Sequence, residues 1–391
     1  MLNTSFSPWP SFTQEEADAV SRVLLSNRVN YWTGRECREF EREFAEFSGA
    51  DYAVAVANGT VALDLALQGL GIGHGDEVIV TSRTFLASAS CIVNAGAEPK
   101  FADVDRDSQN ISADTVSTLI TDRTRAIIAV HLAGWPCDMD ALNELACRHG
   151  LSVIEDCAQA HGATYKGKPV GSLGHVAAWS FCQDKIMTTG GEGGMVTTSD
   201  RELWSRMWSF KDHGKSWDAV YEREHPPGFR WLHESIGTNW RMTEMQAVIG
   251  RIQLQRMHHW SHARKANCEK IWASASEQRA LRVPVVPDEI SHAGYKCYVF
   301  VRPEQLKQDW NRDRIIAALM ERGVPCFSGS CSEVYREKCF QDANLAPAHR
   351  LPVARELGET SLMFLVHPTL TDAEISKTVE ALSGVMAEAS K

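Results

Sequence analysis

From Asp51 onward, short apolar runs rich in β-branched residues alternate with segments of helical period, and that alternation restricts the chain to few architectures. Tyr52-Ala-Val-Ala-Val56, Glu77-Val-Ile-Val80, Lys100-Phe-Ala-Asp-Val104, Ala126-Ile-Ile-Ala-Val130 and Leu151-Ser-Val-Ile154 each have the length of a strand, and helical segments such as residues 61–70 separate them. Strand and helix in repeated succession predict a mostly parallel sheet sandwiched by helices. The expected fold class is α/β: a large domain of this kind over residues 1–250 and a smaller α+β domain over residues 251–391. Two helices precede the alternation. Thr13-Gln-Glu-Glu opens one that runs to about Ser26, and Cys37, Phe40, Phe44 and Phe47 share a face of the second. A long helix from near Thr243 leads to the smaller domain, where residues 293–301 alternate like a strand, residues 312–322 are amphipathic and a last helix begins near Thr371.

Composition removes several classes of function. A net charge of −10 over 391 residues argues against a polybasic surface for nucleic acid or anionic membrane, and no apolar run reaches spanning length. The 11 cysteines are scattered singly with no CxxC pair, and the opening residues carry no secretory pattern. A reducing cytoplasm is the expected compartment, and no metal site is expected. His258, His259 and His262 have no carboxylate or cysteine at ligand spacing and read as a solvated helix face.

In a sheet of this kind ligands sit at the carboxyl ends of the strands, so the residues there are the candidates. After the first strand, Asn58-Gly59-Thr60 enters a helix and offers N–H groups and a hydroxyl to an anion such as phosphate, although the same tripeptide serves as an ordinary turn and N-cap. Phe85 follows the second strand, where an aromatic can stack on a flat heterocycle or simply pack. Asp156 ends the fifth strand; a carboxylate there needs a cation or several donors, and a protonated pyridine nitrogen or helix capping would each employ it. His161 reads as a packing or locally hydrogen-bonded residue. Beyond the run 176–181, Lys185 stands on a connection rich in glycine before the next apolar run at residues 195–198. A poorly solvated lysine there suits Schiff-base chemistry, while a hairpin-turn lysine is the ordinary alternative.

Together these parts meet the binding requirements of pyridoxal 5′-phosphate: an anion site, an aromatic cover, an acid for the ring nitrogen and a lysine for the aldehyde. Asn58-Gly-Thr60, Glu155-Asp-Cys-Ala-Gln159, Ser180-Phe-Cys-Gln-Asp-Lys185, Gly191-Glu-Gly-Gly194 and Gly237-Thr-Asn-Trp-Arg-Met242 also resemble, in order and spacing, the DegT/DnrJ/StrS sugar aminotransferases of the aspartate aminotransferase superfamily. The resemblance implies that Lys185 is the catalytic lysine bound to the cofactor aldehyde, Asp156 the partner of the pyridine nitrogen and Gln159 the contact to the ring hydroxyl. It implies that Gly59, Thr60 and Ser180 hold the phosphate and that Phe85 stacks on the ring. It further implies that Asn239 reaches the phosphate in a neighbouring subunit, so that the active unit is a homodimer with shared sites. The expected substrates are a keto-sugar and, as donor, L-glutamate.

Residues 323–335 depart from the family's usual His-Tyr-x-Pro segment, which leaves a nucleotide-linked hexose, a free keto-sugar, a keto-sugar acid or a cyclitol open as acceptor. Residues 214–231 read as an irregular loop whose Trp, Tyr and Arg side chains face either a substrate or a subunit boundary. Two other readings are weighed. In sugar dehydratases similar to this family a histidine replaces the lysine, and Lys185 stands against that chemistry. A noncatalytic regulator on the same fold would need neither Lys185 nor Asp156.

Overall fold

The computed structural model describes residues 6–228 and 230–391. Helix α1 (Gln14–Leu25) starts at a capping box between Thr13 and Glu16, and α2 (Glu36–Ser48) stops at Gly49, whose φ of 70° a side chain would oppose. The expected face of α2 is buried through Cys37, Phe40 and Phe44. The alternation follows as β1 (Tyr52–Val56), α3 (Gly59–Leu70), β2 (Glu77–Thr81), α4 (Ala87–Asn94), β3 (Glu98–Ala102), α5 (Ala113–Ser117), β4 (Thr124–Val130), α6 (Met139–His149) and β5 (Ser152–Asp156). Two-residue strands β6 (Thr164–Tyr165) and β7 (Lys168–Pro169) form a small hairpin, and β8 (Val176–Ser180) and β9 (Gly194–Thr198) complete the main sheet.

That sheet has seven strands in the order β1-β9-β8-β5-β4-β2-β3, with β9 antiparallel to its neighbours and the other pairings parallel. Every residue of β2 and β8 is buried, because helices cover both faces. This is why these runs lack alternation in the sequence. The parallel strands all end on one edge of the sheet, which gathers β1, β2, β5 and β8 carboxyl ends around one cleft.

The chain continues through α7 (Arg201–Phe210), α8 (Trp217–Tyr221) and the 33-residue α9 (Glu244–Ser276). Then come β10 (Leu281–Arg282), β11 (Ile290–Ser291), β12 (Cys297–Val301), α10 (Arg312–Glu321), β13 (Cys326–Phe327), α11 (Lys338–Asp342), α12 (Pro352–Thr360), β14 (Ser361–Phe364) and α13 (Asp372–Ala389). A four-stranded antiparallel sheet, β10-β12-β14-β13, packs with α9, α10 and α13 around a second core that includes Ile271, Val299, Leu362 and Leu382. Strand β11 pairs with β6, tying the approach to β12 back to the large sheet's side of the molecule.

Position 250/251, the boundary read from the sequence, falls inside α9, whose length carries it from α1 and α2 to the second core. The start of the chain also reaches that far side: Phe6 packs with Val324, Leu370 and Ile375, and the Ser7 N–H donates to Glu374. Residues 214–231 are not wholly irregular. Ser216 caps α8, and Trp217 meets Trp204 and Trp208 of α7 at ring-centroid distances of 5.1 and 5.0 Å, so packing within the chain accounts for much of the segment's aromatic content; Phe229 lies outside the described residues. Strand β3 begins two residues before the expected run, and β12 begins at Cys297 because residues 293–296 are held by other bonds described below. All eleven cysteines are free, and among the described residues no helix is long and apolar enough to cross a membrane.

Candidate active site

The cleft at the strand ends encloses a cavity of about 550 Å³ lined by residues that follow β1, β2, β5 and β8. Gly59, Thr60, Phe85, Asp156, Gln159, Ser180 and Lys185 all line it, brought together from loops spread over more than a hundred residues of sequence. A larger cavity of about 770 Å³ lies elsewhere, but four of its five arginines, Arg106, Arg282, Arg350 and Arg355, are paired with Glu356, Asp107, Glu333 and Glu359, and Glu304 lines it beside the fifth, Arg302. Little unbalanced charge is left there to hold a ligand.

One corner of the cleft is the N-terminus of α3. The Asn58 side chain accepts the Val61 N–H at 2.9 Å, so Gly59 and Thr60 form the helix's first turn, where backbone N–H groups have no intrahelical acceptor. A Cβ on Gly59 would lie 2.5 Å from Ser180 Cβ and 2.9 Å from Ser180 Oγ. Only a hydrogen fits, and that close approach sets the Ser180 hydroxyl, at the end of β8, beside the open helix terminus. Helix dipole, N–H groups and hydroxyls thus make a cradle for a dianionic phosphate.

Opposite this corner, Asp156 is 5% exposed. Its Oδ2 accepts from Ser88 Oγ at 2.7 Å and its Oδ1 from the Ala158 N–H at 3.1 Å. Burial pushes the carboxyl's pKa up, against the lowering effect of Ser88, the Ala158 N–H and the positive charge of Lys185. Such a carboxylate is oriented but, among the described residues, has no cation in contact, which a protonated pyridine nitrogen would supply. Gln159 Oε1 accepts the Ala133 N–H at 2.9 Å, which leaves the amide NH₂ as the donor available to a ring hydroxyl. Ser88 and Ala133 had no local signal in the sequence. Ser88 is an ordinary serine in the first turn of α4, and Ala133 matters because of its buried left-handed conformation, φ 59°.

Lys185 stands at the cleft mouth with its side chain 16% exposed. Its Nζ lies 3.2 Å from Asp184 Oδ2 and 3.4 Å from the Tyr295 hydroxyl, which itself donates to Asp184 at 2.5 Å. Burial and Asp184 push the Tyr295 pKa well up, so this phenol remains a donor. The lysine's backbone is pinned from the chain's start, where Trp9 Nε1 donates to the Lys185 carbonyl at 2.8 Å. Thr188 N–H donates to Gln253 of α9 and Thr188 Oγ1 to the Phe181 carbonyl, fixing the rest of the turn. Phe85 borders the same cavity and is 68% exposed, an open aromatic face at the position expected to cover a ring. His161 is fully buried between Trp179 and Phe181, burial drives its pKa down to about 3, and it packs as a neutral ring.

Asn239 is the one predicted residue that does not line the cavity. It is exposed on a segment held firmly from behind: Asp212, itself buried, accepts from Arg241 at 2.5 Å and from Lys215 at 2.9 Å, while the Trp240 N–H donates to the Lys211 carbonyl. Arg241 is therefore an anchor within the fold.

The residues fit the proposed cofactor: a cradle that admits no Cβ, a buried carboxylate without a contacting cation, a fixed amide donor and an amine between them. Comparison with known proteins agrees. The sequence matches the profile of the DegT/DnrJ/EryC1/StrS aminotransferase family over residues 10–383. It is 38% identical to GDP-perosamine synthase of Caulobacter vibrioides, covering 96% of this chain and 97% of that protein. It is 36% identical to dTDP-3-amino-3,4,6-trideoxy-alpha-D-glucose transaminase of Streptomyces venezuelae, over 93% and 90% of the two chains. The crystal structure of an aminotransferase from Psychrobacter cryohalolentis superposes with a TM-score of 0.97 at 63% identity, covering 98% of this chain and 99% of that one. The chain belongs to the DegT/DnrJ/EryC1/StrS aminotransferase family, whose members are pyridoxal 5′-phosphate-dependent sugar aminotransferases.

Proposed function

We propose that this protein transfers the amino group of L-glutamate to a keto-sugar in amino-sugar biosynthesis, working as a homodimer with shared sites. The observation that carries the reading is the convergence of Lys185, Asp156 and the Gly59–Ser180 cradle on one cavity. Gly59, Thr60 and Ser180 hold the phosphate, Asp156 the ring nitrogen, Gln159 the ring hydroxyl, and Phe85 covers the ring. Bound there, pyridoxal phosphate supplies an aldehyde that exchanges amines and a ring that accepts electrons. Asp156, held by Ser88 and the Ala158 N–H, keeps a proton on the ring nitrogen. Lys185 Nζ, once displaced by the incoming amine, takes the proton from the donor's α-carbon and in the second half-reaction returns one to the sugar carbon that receives nitrogen. Tyr295 and Asp184 keep that amine at the cavity mouth between the two steps.

Support for the dimer comes from the surface around the Asn239 segment. Trp231 and Ile236 are 87% and 91% exposed on the same stretch, apolar side chains that a second copy would cover. Asn239, carried outward on the Asp212–Arg241 anchor, is proposed to complete the partner's phosphate cradle. In the same reading the molecule divides into a large cofactor domain over residues 1–250 and a small domain over residues 251–391, joined by α9. The relatives named above act on GDP- and dTDP-linked sugars by their names. A nucleotide-linked keto-sugar is therefore the first acceptor to assay.

The test is the visible absorption spectrum of the protein reconstituted with pyridoxal phosphate, before and after L-glutamate. The expected result is loss of the lysine-bound cofactor's band and growth of the pyridoxamine phosphate band. A reconstituted protein that shows no lysine-bound band overturns the assignment of Lys185, and a band that ignores L-glutamate but answers another amino acid overturns the donor.

A further inference from the structure

Three chains of contacts lead from the cavity to a single amine. Lys185 Nζ and Lys296 Nζ lie 5.3 and 5.2 Å from the centre of the same Tyr295 ring. Gln159 binds the Ala133 N–H, and the Ala133 carbonyl in turn accepts the N–H groups of Tyr295, at 3.0 Å, and Lys296, at 3.3 Å. Thr84, on the cavity wall, donates its N–H to the carbonyl of Cys331, next to Ser330, and Lys296 Nζ donates to Ser330 Oγ at 3.1 Å. Lys296 thus stands just behind the cavity wall, joined through Tyr295, Ala133 and Ser330 to the residues that line it.

The hydroxyl that receives this amine is built into place. Ser330 N–H donates to the Tyr298 hydroxyl at 2.7 Å, and Gly329 has φ of 86° with a missing Cβ that would lie 2.2 Å from the same oxygen. No other residue lets the loop approach so closely. Behind it, the fully buried Arg83 guanidinium lies 5.2 Å from the centre of the Tyr298 ring, bonded only to neutral groups, Gln109 Oε1 and Ser361 Oγ. Among the described residues no carboxylate lies within ion-pair distance of Lys296 or Arg83. A half-buried amine with no anion of its own, backed by a second buried cation, is charge held in reserve for a ligand.

We propose that Lys296 binds the side-chain carboxylate of the dicarboxylic amino donor and thereby selects it. This rests on the aminotransferase reading above and adds the residue that recognises the donor. A single ammonium matches the single charge of a carboxylate. A sugar diphosphate at the same place would leave charge uncompensated, since among the described residues Ser330 is the one side chain to which the amine hydrogen-bonds and Arg83 is sealed beneath Tyr298. The segment 323–335, which carries Ser330, is the one in which the sequence departs from the family's usual pattern.

The experiment compares holoenzyme with Lys296→Met. Glutarate, a dicarboxylate without the amine, is titrated by calorimetry, and the rate of cofactor amination is measured with L-glutamate and with L-alanine. The expected loss is about 10- to 100-fold in glutarate affinity and in kcat/KM for L-glutamate, the range of one charge-assisted hydrogen bond, with L-alanine changed by less than about twofold. Lys296→Arg restores much of the glutarate affinity. Ser330→Ala shifts both dicarboxylates in the same direction by a smaller factor, so a methionine variant that does not fold still leaves a decisive measurement. Unchanged glutarate and L-glutamate constants overturn the proposal. So does a defect confined to the keto-sugar half-reaction, which would assign the amine to the sugar's anion. The wild-type response to L-glutamate tests the donor itself, separately from the residue that reads it.

Discussion

Asp156→Asn is the substitution whose effects should change sign with the cofactor. In the free protein the carboxylate is buried, receives two hydrogen bonds and touches no cation, and burial holds its pKa above the ordinary aspartate value. A raised folded pKa means that the buried charge adds no penalty below the unfolded pKa, near 4, and a full penalty once the pH has risen through the folded value. Asparagine keeps an oxygen for the Ala158 N–H and an amide NH₂ facing Ser88, and carries no charge. The cofactor-free variant should therefore be the more stable protein at neutral pH, by about 1–2 kcal/mol, or about 1–3 °C in a chain of this length. With the ring nitrogen present the balance reverses. Removing one member of a buried, hydrogen-bonded charge pair costs about 2–4 kcal/mol, which corresponds to cofactor affinity weaker by about 30- to 1,000-fold. Calorimetric scans of both proteins, with and without pyridoxal phosphate, at pH 4 to 8, measure all four corners. The wild-type free protein should lose its relative advantage as pH rises, and the variant should gain least from cofactor. If the cofactor raises the melting temperature of both proteins by the same amount, Asp156 does not pair with the ring and the argument fails.

Gly59→Ala should lower affinity for pyridoxal phosphate by about 10- to 100-fold while leaving unphosphorylated pyridoxal little changed, because the new methyl meets Ser180 and pushes the helix terminus off the phosphate; an equal loss for both ligands would place the damage elsewhere. Lys185→Ala and Asn239→Ala should each be inactive or nearly so alone, yet mixing the unfolded subunits and refolding them together should restore about a quarter of wild-type activity, since half of the dimers are hybrid and each hybrid has one intact site. A mixture no more active than its parts would refute the shared site. Acid should destabilise the protein steeply: burial lowers the pKa values of His161 to about 3 and of His292 and His367 to about 4, so the unfolded chain takes up protons first and stability falls as pH drops from about 6.5 towards 4. His161→Phe should flatten that limb in pH-dependent melting curves; an unchanged limb would show that His161 titrates in the fold as it does in the unfolded chain.

The α/β core was legible because burial on both faces of a parallel sheet leaves apolar runs that need no partner to be recognised, and their carboxyl ends point to the ligand. Gly59, Asp156 and Lys185 could be placed at the cavity for the same reason, since each stands at or a few residues beyond the end of such a run. The segment 214–231 was only half legible: its aromatics signalled contact, but whether Trp217 met a substrate, a second subunit or α7 depended on the path of the chain. The departure at residues 323–335 was visible as a difference without a meaning until Ser330 was seen to hold Lys296.

The sequence by itself determined which chemistry was possible: a lysine, a carboxylate and an open helix terminus, each near a strand end set by local period and by the residues that break it. The tertiary structure decided how those groups are held and what they meet. Trp9 reaches Lys185 across 176 residues, and Lys185 reaches Tyr295 across 110, and nothing in the periodicity of any of these segments encodes another as its partner. Hydrogen bonds between distant segments depend on the packing of whole elements, and that packing is a property of the folded chain.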